Sequence, residues 1–191
     1  NVASFDSQKK DELIGELKKI VLANTKTVEQ AMQLLAKYGI KLIVQNHPDK
    51  CAVDGISFWS KGKPAIGMTL RHQRIDNFAF TLMHELGHVY KHLVNNNEAQ
   101  FIDIENNYGD SVEEKEANDF ARNALISKAD WEEFQMNYLR PDEKDITDFA
   151  RKKNLHPAIV LGRYCFERDR FNFKMGIDKK LKKKKKMHYL F

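Results

Sequence analysis

Cysteine is scarce: Cys51 and Cys165 are the only two in a chain of 191 residues. No CxxC pair exists, which excludes a cysteine-built zinc site. So low a count argues against an oxidising, disulfide-stapled domain and for a cytoplasmic one. Long apolar runs are missing too. None approaches the roughly 18 residues that span a bilayer, so no membrane partner is expected. The chain has no apolar signal-peptide core near Asn1 and no internal repeat. The folded body also lacks a strong charge of one sign. The formal net charge is +5, but Lys179, Lys180 and Lys182 through Lys186 supply seven positive charges, and removing them leaves −2. The basic character therefore belongs to one end, and direct nucleic-acid binding by the body is not expected.

What is present is an ordinary globular composition, 42% hydrophobic and 31% charged, long enough for one cored domain. Apolar residues recur at helical spacing over 8–23 and again over 28–38, where Gly39 closes the pattern. The period then shortens. Lys41–Val44, Ile56–Trp59 and Ala65–Leu70 read as strands, with turn signals at Asp54-Gly55 and Gly62. A long helix follows over 77–93, with Asp76 or Asn77 as its N-cap. Residues 95–110 are polar and loop-like, and helices are expected at 111–125, 142–152 and 157–166. Pro141 and Pro157 suit the first turns of the last two. The expected fold is α+β: a small, mostly antiparallel sheet packed on helices, with a helical C-terminal cap. Residues 1–39 form N-terminal helices, 40–175 the main unit compact with them, and 176–191 a basic, disordered tail.

The long helix carries His84-Glu85-Leu86-Gly87-His88, an HExxH pattern. Histidines four apart lie one helical turn apart on one side, so both imidazoles can reach one tetrahedral zinc. Glu85 can then take the proton of a metal-bound water as that water attacks a carbonyl. Zinc lowers the pKa of such a water to about 7. Phe78, Leu82, Leu86, Val89 and Leu93 form the apolar stripe of the same helix. The competing reading leaves the histidine flank simply solvated.

A third protein ligand must come from elsewhere. The helix from Ser111 buries Ala117, Phe120, Ala121, Ala124 and Leu125. Glu113 and Glu114 each flank that face by about 50°, and Glu116 lies about 110° away, at 3.6 residues per turn. Geometry leaves Glu113 and Glu114 open. A Ser111/Glu114 capping box would occupy Glu114, whereas an Asp110/Glu113 box would free it. Ala117 and Ala121, on the Glu114 side, would let the two helices approach closely.

Glu114-Lys115-Glu116-Ala117-Asn118-Asp119-Phe120-Ala121 resembles the ExxA(D/N)xFA signature of gluzincin peptidases. The resemblance implies Glu114 as third zinc ligand and Asn118 as support for a metal-binding histidine. Asp54–Trp59, Lys63–Gly67, Asp76–Leu82, Phe101–Asp103, Trp131 and His156–Arg163 extend the similarity to the ImmA/IrrE family of metallopeptidases over roughly residues 40–175. The branch is similar to that downstream of an XRE-type helix-turn-helix in HigA-like antitoxin regulators. It implies a zincin-like fold, one zinc ion, and a protein or peptide substrate such as a DNA-bound repressor or antitoxin-type protein. No helix-turn-helix is evident in residues 1–40, so one would have to precede Asn1. The rival reading is a non-catalytic regulatory or antitoxin module that binds a partner protein.

Other residues carry weaker expectations. His92 either contacts substrate or faces solvent. Asp103 either orients a zinc-bound imidazole or caps a loop, and Tyr108 either polarises a substrate carbonyl or packs. The strand Ala65–Leu70 is a candidate edge for an extended peptide. Arg71 and Arg74 either hold an acidic group or are solvated, and Trp59 and Trp131 belong to the core or an interface.

Overall fold

The computed structural model describes residues 2–46, 52–104, 111–169 and 175–182. Two helices open the chain, α1 (Lys10–Ala23) after a single 3-10 turn, and α2 (Thr27–Lys37). Leu13, Leu17 and Val21 of α1 face Val28, Ala31, Leu34 and Leu35 of α2, all buried. These positions recur every three or four residues, so each helix offers one apolar stripe to the core.

Four strands follow in the spatial order β1-β3-β2-β4. β1 (Lys41–Asn46) runs parallel to β3 (Lys63–Leu70), while β2 (Val53–Ser60) is antiparallel to β3 and to β4 (Gln100–Ile104). The sheet is thus mixed, with two antiparallel pairings and one parallel. β2 and β3 form a tight hairpin through Lys61-Gly62, both at positive φ (51° and 72°), a conformation whose twist suits a two-residue hairpin.

Three expectations about the sheet need correcting. Asp54-Gly55 is not a turn but lies inside β2. β3 is not an edge strand, because β1 and β2 flank it. The polar stretch 95–110 contains the edge strand β4. Its inward residues are one aromatic and one acid, Phe101 and Asp103, so the usual apolar alternation is missing.

α3 (Ile75–His88) crosses beneath the sheet and passes directly into a π-helical turn, Val89–Leu93. Its N-cap is Arg74, not Asp76 or Asn77. Asp76 instead sits in the first turn, where an acid complements the helix dipole, and pairs with the Arg74 guanidinium. α4 (Val112–Leu125) packs closely on α3, capped by the Ser111 hydroxyl, which accepts from Glu114 N–H at 3.2 Å. A Cβ on Gly87 would lie 3.0 Å from Ala117 Cα, so the small residues on both sides allow the approach.

α5 (Lys128–Asn137) has no counterpart in the sequence reading. Only Trp131 and Phe134 of its residues are buried, too few to show a helical period. α6 (Glu143–Lys152) begins with an Asp142/Asp145 capping box, so Pro141 precedes the helix and does not enter its first turn. Pro157 does open α7 (Pro157–Glu167). Trp131 stacks on Phe134 at 5.0 Å and lies under Arg163, and Trp59 donates to Leu93 O at 2.9 Å; both belong to the packed body. Residues 175–182, expected largely as tail, run back over the N-terminal ends of α2 and α3 with Leu181 buried. Cys165 is a buried free thiol, and Cys51 lies outside the described residues. No described helix is long and apolar enough to cross a membrane.

Candidate metal centre

His84 and His88 stand on the last two turns of α3, and both are buried. Their histidine flank is not solvated, because α4 and β4 cover it. The two Nε2 atoms lie 3.1 Å apart. Glu114, from the first turn of α4, places Oε2 at 3.2 Å from His84 Nε2 and Oε1 at 3.4 Å from His88 Nε2. Ser111 caps α4, yet the Glu114 side chain points into the cluster. Glu113 does not join it, and Glu116 reaches His92 instead.

The donor set fits a small divalent cation. A tetrahedron with bonds of about 2.0–2.1 Å to nitrogen and oxygen has edges of about 3.3–3.4 Å. The two nitrogens lie 3.1 Å apart, close to such an edge, and each faces one of the two Glu114 oxygens, at 3.2 and 3.4 Å, so all three side chains turn toward one point. Protonation points the same way. His84 Nδ1 lies 3.1 Å from Asn118 Oδ1. An amide oxygen only accepts, so Nδ1 carries the hydrogen, and in a neutral ring Nε2 then presents a lone pair. Lone pairs and a carboxylate crowded together are reconciled by a cation.

Glu85 lies on the sheet side of this cluster, fully buried. Ser57 Oγ donates to its Oε2 at 2.5 Å, while its Oε1 is buried without a hydrogen-bond partner. Gly55, two residues along the same face of β2, leaves room for it: a Cβ there would lie 2.0 Å from Glu85 Oε1. Burial pushes the Glu85 carboxyl up to about 8, against the pull of His84 and of the Ser57 hydroxyl. A carboxyl titrating near neutrality is suited to accept a proton and return it.

The neighbours are tuned differently. The adjoining His84, then His88, imidazoles hold Glu114 down to about 2. Burial lowers His88. His84 is raised: burial opposes its charge, but Glu114, Glu85 and Asp103 together outweigh that. Burial also raises Asp103.

Asp103 reaches the cluster from β4, its oxygen within 4.8 Å of ligand-type atoms of His84 and Glu85. The contact on His84 Nδ1 is made by Asn118 and not by Asp103. His92 does not face open solvent: its ring nitrogens lie 3.0 Å from His88 Nδ1 and 3.0 Å from Glu116 Oε2. Tyr108 lies outside the described residues. Arg71 and Arg74 face the protein's own Asp54 and Asp76.

Sequence reasoning did not find Ser57, Gly55 as the Glu85 cradle, or the stacking of Phe101 on His88 at 4.5 Å. Residues 55 and 57 share a strand face by period two, but nothing local says that this face meets Glu85. A family profile described as the IrrE N-terminal-like domain of peptidase family M78 matches residues 38–159. No curated protein matches the chain. The matched stretch holds the whole sheet, both helices of the histidine–glutamate cluster and the carboxyl beside it, and the chain belongs to the ImmA/IrrE (M78) metallopeptidase family.

Proposed function

We propose that this chain is a zinc-dependent endopeptidase whose substrate is a regulatory protein of the repressor or antitoxin type, cut in the cytoplasm. The observation that carries the enzyme reading is the convergence of His84, His88 and Glu114 beside a buried, singly hydrogen-bonded Glu85. His84, His88 and Glu114 would hold the ion. Zinc, when bound, polarises the scissile carbonyl and makes hydroxide available near neutral pH. Glu85 takes the proton of the attacking water on the oxygen that has no hydrogen bond in the protein. It then passes that proton to the leaving amine, so no covalent intermediate forms. Ser57 holds the other carboxylate oxygen and fixes the direction of the first.

The substrate reading rests on β4. Among the described residues it pairs with β2 alone, so its second edge offers backbone donors and acceptors to an extended chain. Phe101 and Asp103 place that edge against the cluster. An unfolded segment of a partner, laid along β4, would bring a peptide bond to the ion.

The test uses the zinc-loaded chain and a library of unstructured peptides read by mass spectrometry. Fragments are expected from the native protein. Glu85→Gln should keep one zinc per chain and lower cleavage by about 10²- to 10⁴-fold, the usual contribution of a general base. Equal cleavage by Glu85→Gln would reject the role of Glu85. A zinc-loaded native chain that cuts nothing, yet captures a partner protein, would favour the binding-module reading.

A further inference from the structure

His88 is held from the side away from the cluster by contacts that end on a surface carboxylate. Its Nε2 faces His84 and Glu114, which leaves Nδ1, 3.0 Å from His92 Nδ1. His92 Nε2 in turn lies 3.0 Å from Glu116 Oε2. A carboxylate only accepts, so His92 Nε2 carries a hydrogen, and in a neutral ring His92 Nδ1 is then a lone pair. His88 Nδ1 must therefore donate, and its own Nε2 is left as a lone pair aimed at the cluster. Each bond in the series runs in one direction, set by the charge on Glu116.

The backbone is shaped to make this series. At His88 the α-helix gives way to the π turn Val89–Leu93, closed by Val94 N–H to Val89 O at 3.2 Å. Single π turns within helices occur often at functional sites. Here the turn carries His92 along the same flank as His88. Phe101 closes over both rings, 4.5 Å from His88 and 5.1 Å from His92. The His92 side chain is left only 10% exposed, although Glu116 beyond it is 47% exposed.

We propose that His92 and Glu116 are positioning residues for the metal centre: Glu116, through His92, fixes the tautomer and the ring orientation of His88 and strengthens it as a ligand. This inference rests on His84, His88 and Glu114 holding a metal. Groups that accept the outer hydrogen of a metal-bound imidazole commonly change metal affinity by about 10- to 100-fold when removed. His92 thus acts behind a ligand and need not contact substrate. His84 reaches the same state by a shorter route, through Asn118.

Zinc affinity of the full chain, measured by competition with a chromophoric chelator, tests this without an activity assay. Thermal melts of the metal-free proteins check folding. His92→Phe should still bind one zinc, about 10- to 100-fold more weakly. Glu116→Ala, a change at a half-exposed position, should weaken binding in the same direction. The double variant should match His92→Phe alone, because Glu116 works only through His92. His92→Gln, whose amide oxygen can accept from His88 Nδ1, should recover part of the loss. Additive losses without rescue by Gln would assign His92 a merely structural part and overturn the proposal. Native affinity in both His92→Phe and Glu116→Ala, with affinity lost in His88→Ala, would also overturn it while leaving the metal centre standing. Native affinity in His88→Ala would remove the metal centre itself.

Discussion

The carboxyl of Glu85 sits where a side chain from the neighbouring strand would otherwise be. Gly55 is the residue that yields the space, and its Cβ would fall 2.0 Å from Oε1 and 2.7 Å from Cδ of Glu85. That explains a glycine inside β2, where glycine otherwise weakens a strand. Gly55→Ala is expected to destabilise the protein by about 1–3 kcal/mol, the usual cost of overpacking, and to displace the carboxyl from Ser57. In a Glu85→Ala background the same change should cost almost nothing, since the clashing atoms are gone and residues in contact do not act additively. Denaturant unfolding of the four proteins checks this, and an equal cost in both backgrounds would contradict it. The dipeptide Asp54-Gly55 reads as a turn for the same reason that it is not one. Sequence shows that glycine is needed but not whether the need is a bend or a close neighbour 30 positions on.

Helices α2 and α3 begin badly by local rules. Their N-cap residues are Lys26, at φ 48°, and Arg74, and neither side chain caps its helix. The missing acceptors come from the returning C-terminal segment. Ile75 N–H donates to Lys179 O at 2.8 Å, and Thr27 N–H donates to Lys182 O at 2.9 Å. Asn24 ties the same segment down, donating to Lys180 O at 2.9 Å and accepting from Lys182 N–H at 3.1 Å. Leu181, only 3% exposed, anchors it in the core. The helix that bears both histidines is therefore fixed at its start by residues about a hundred positions later. Leu181→Ala should cost about 2–5 kcal/mol, as for other buried leucines, and should speed amide exchange at Ile75 and Thr27. Unchanged exchange at those two amides would show that the segment does not cap the helices. Lys180 and Lys182 do expose their side chains, so the segment reads as solvated; the carbonyls that do the capping leave no trace in composition.

Across the whole molecule, what could be read ahead was what is local. His84, Glu85 and His88 declare themselves by spacing within one helix. Glu114 stands close to the buried face of another, although Glu113 flanks that face equally and only the family signature chose between them. β4 was missed because its inward side is Phe101 and Asp103 in place of an apolar pair, and α5 because Trp131 and Phe134 alone carry its buried side. The parallel pairing of β1 with β3 depends on strand order, which no single segment contains. The His88–His92–Glu116 series joins two helices through a π turn, and its meaning appears only when α4 is packed against α3. Sheet, site helices and returning segment thus serve one arrangement: three donors from two helices meeting at one point, with the buried Glu85 carboxyl beside them. Anomalous diffraction at the zinc edge, from crystals of the zinc-loaded full chain, tests that arrangement most directly. A single peak should appear, bonded at about 2.0–2.2 Å to His84 Nε2, His88 Nε2 and a carboxylate oxygen of Glu114. A peak elsewhere, or Glu114 turned away from both imidazoles with no other donor in its place, would contradict the account.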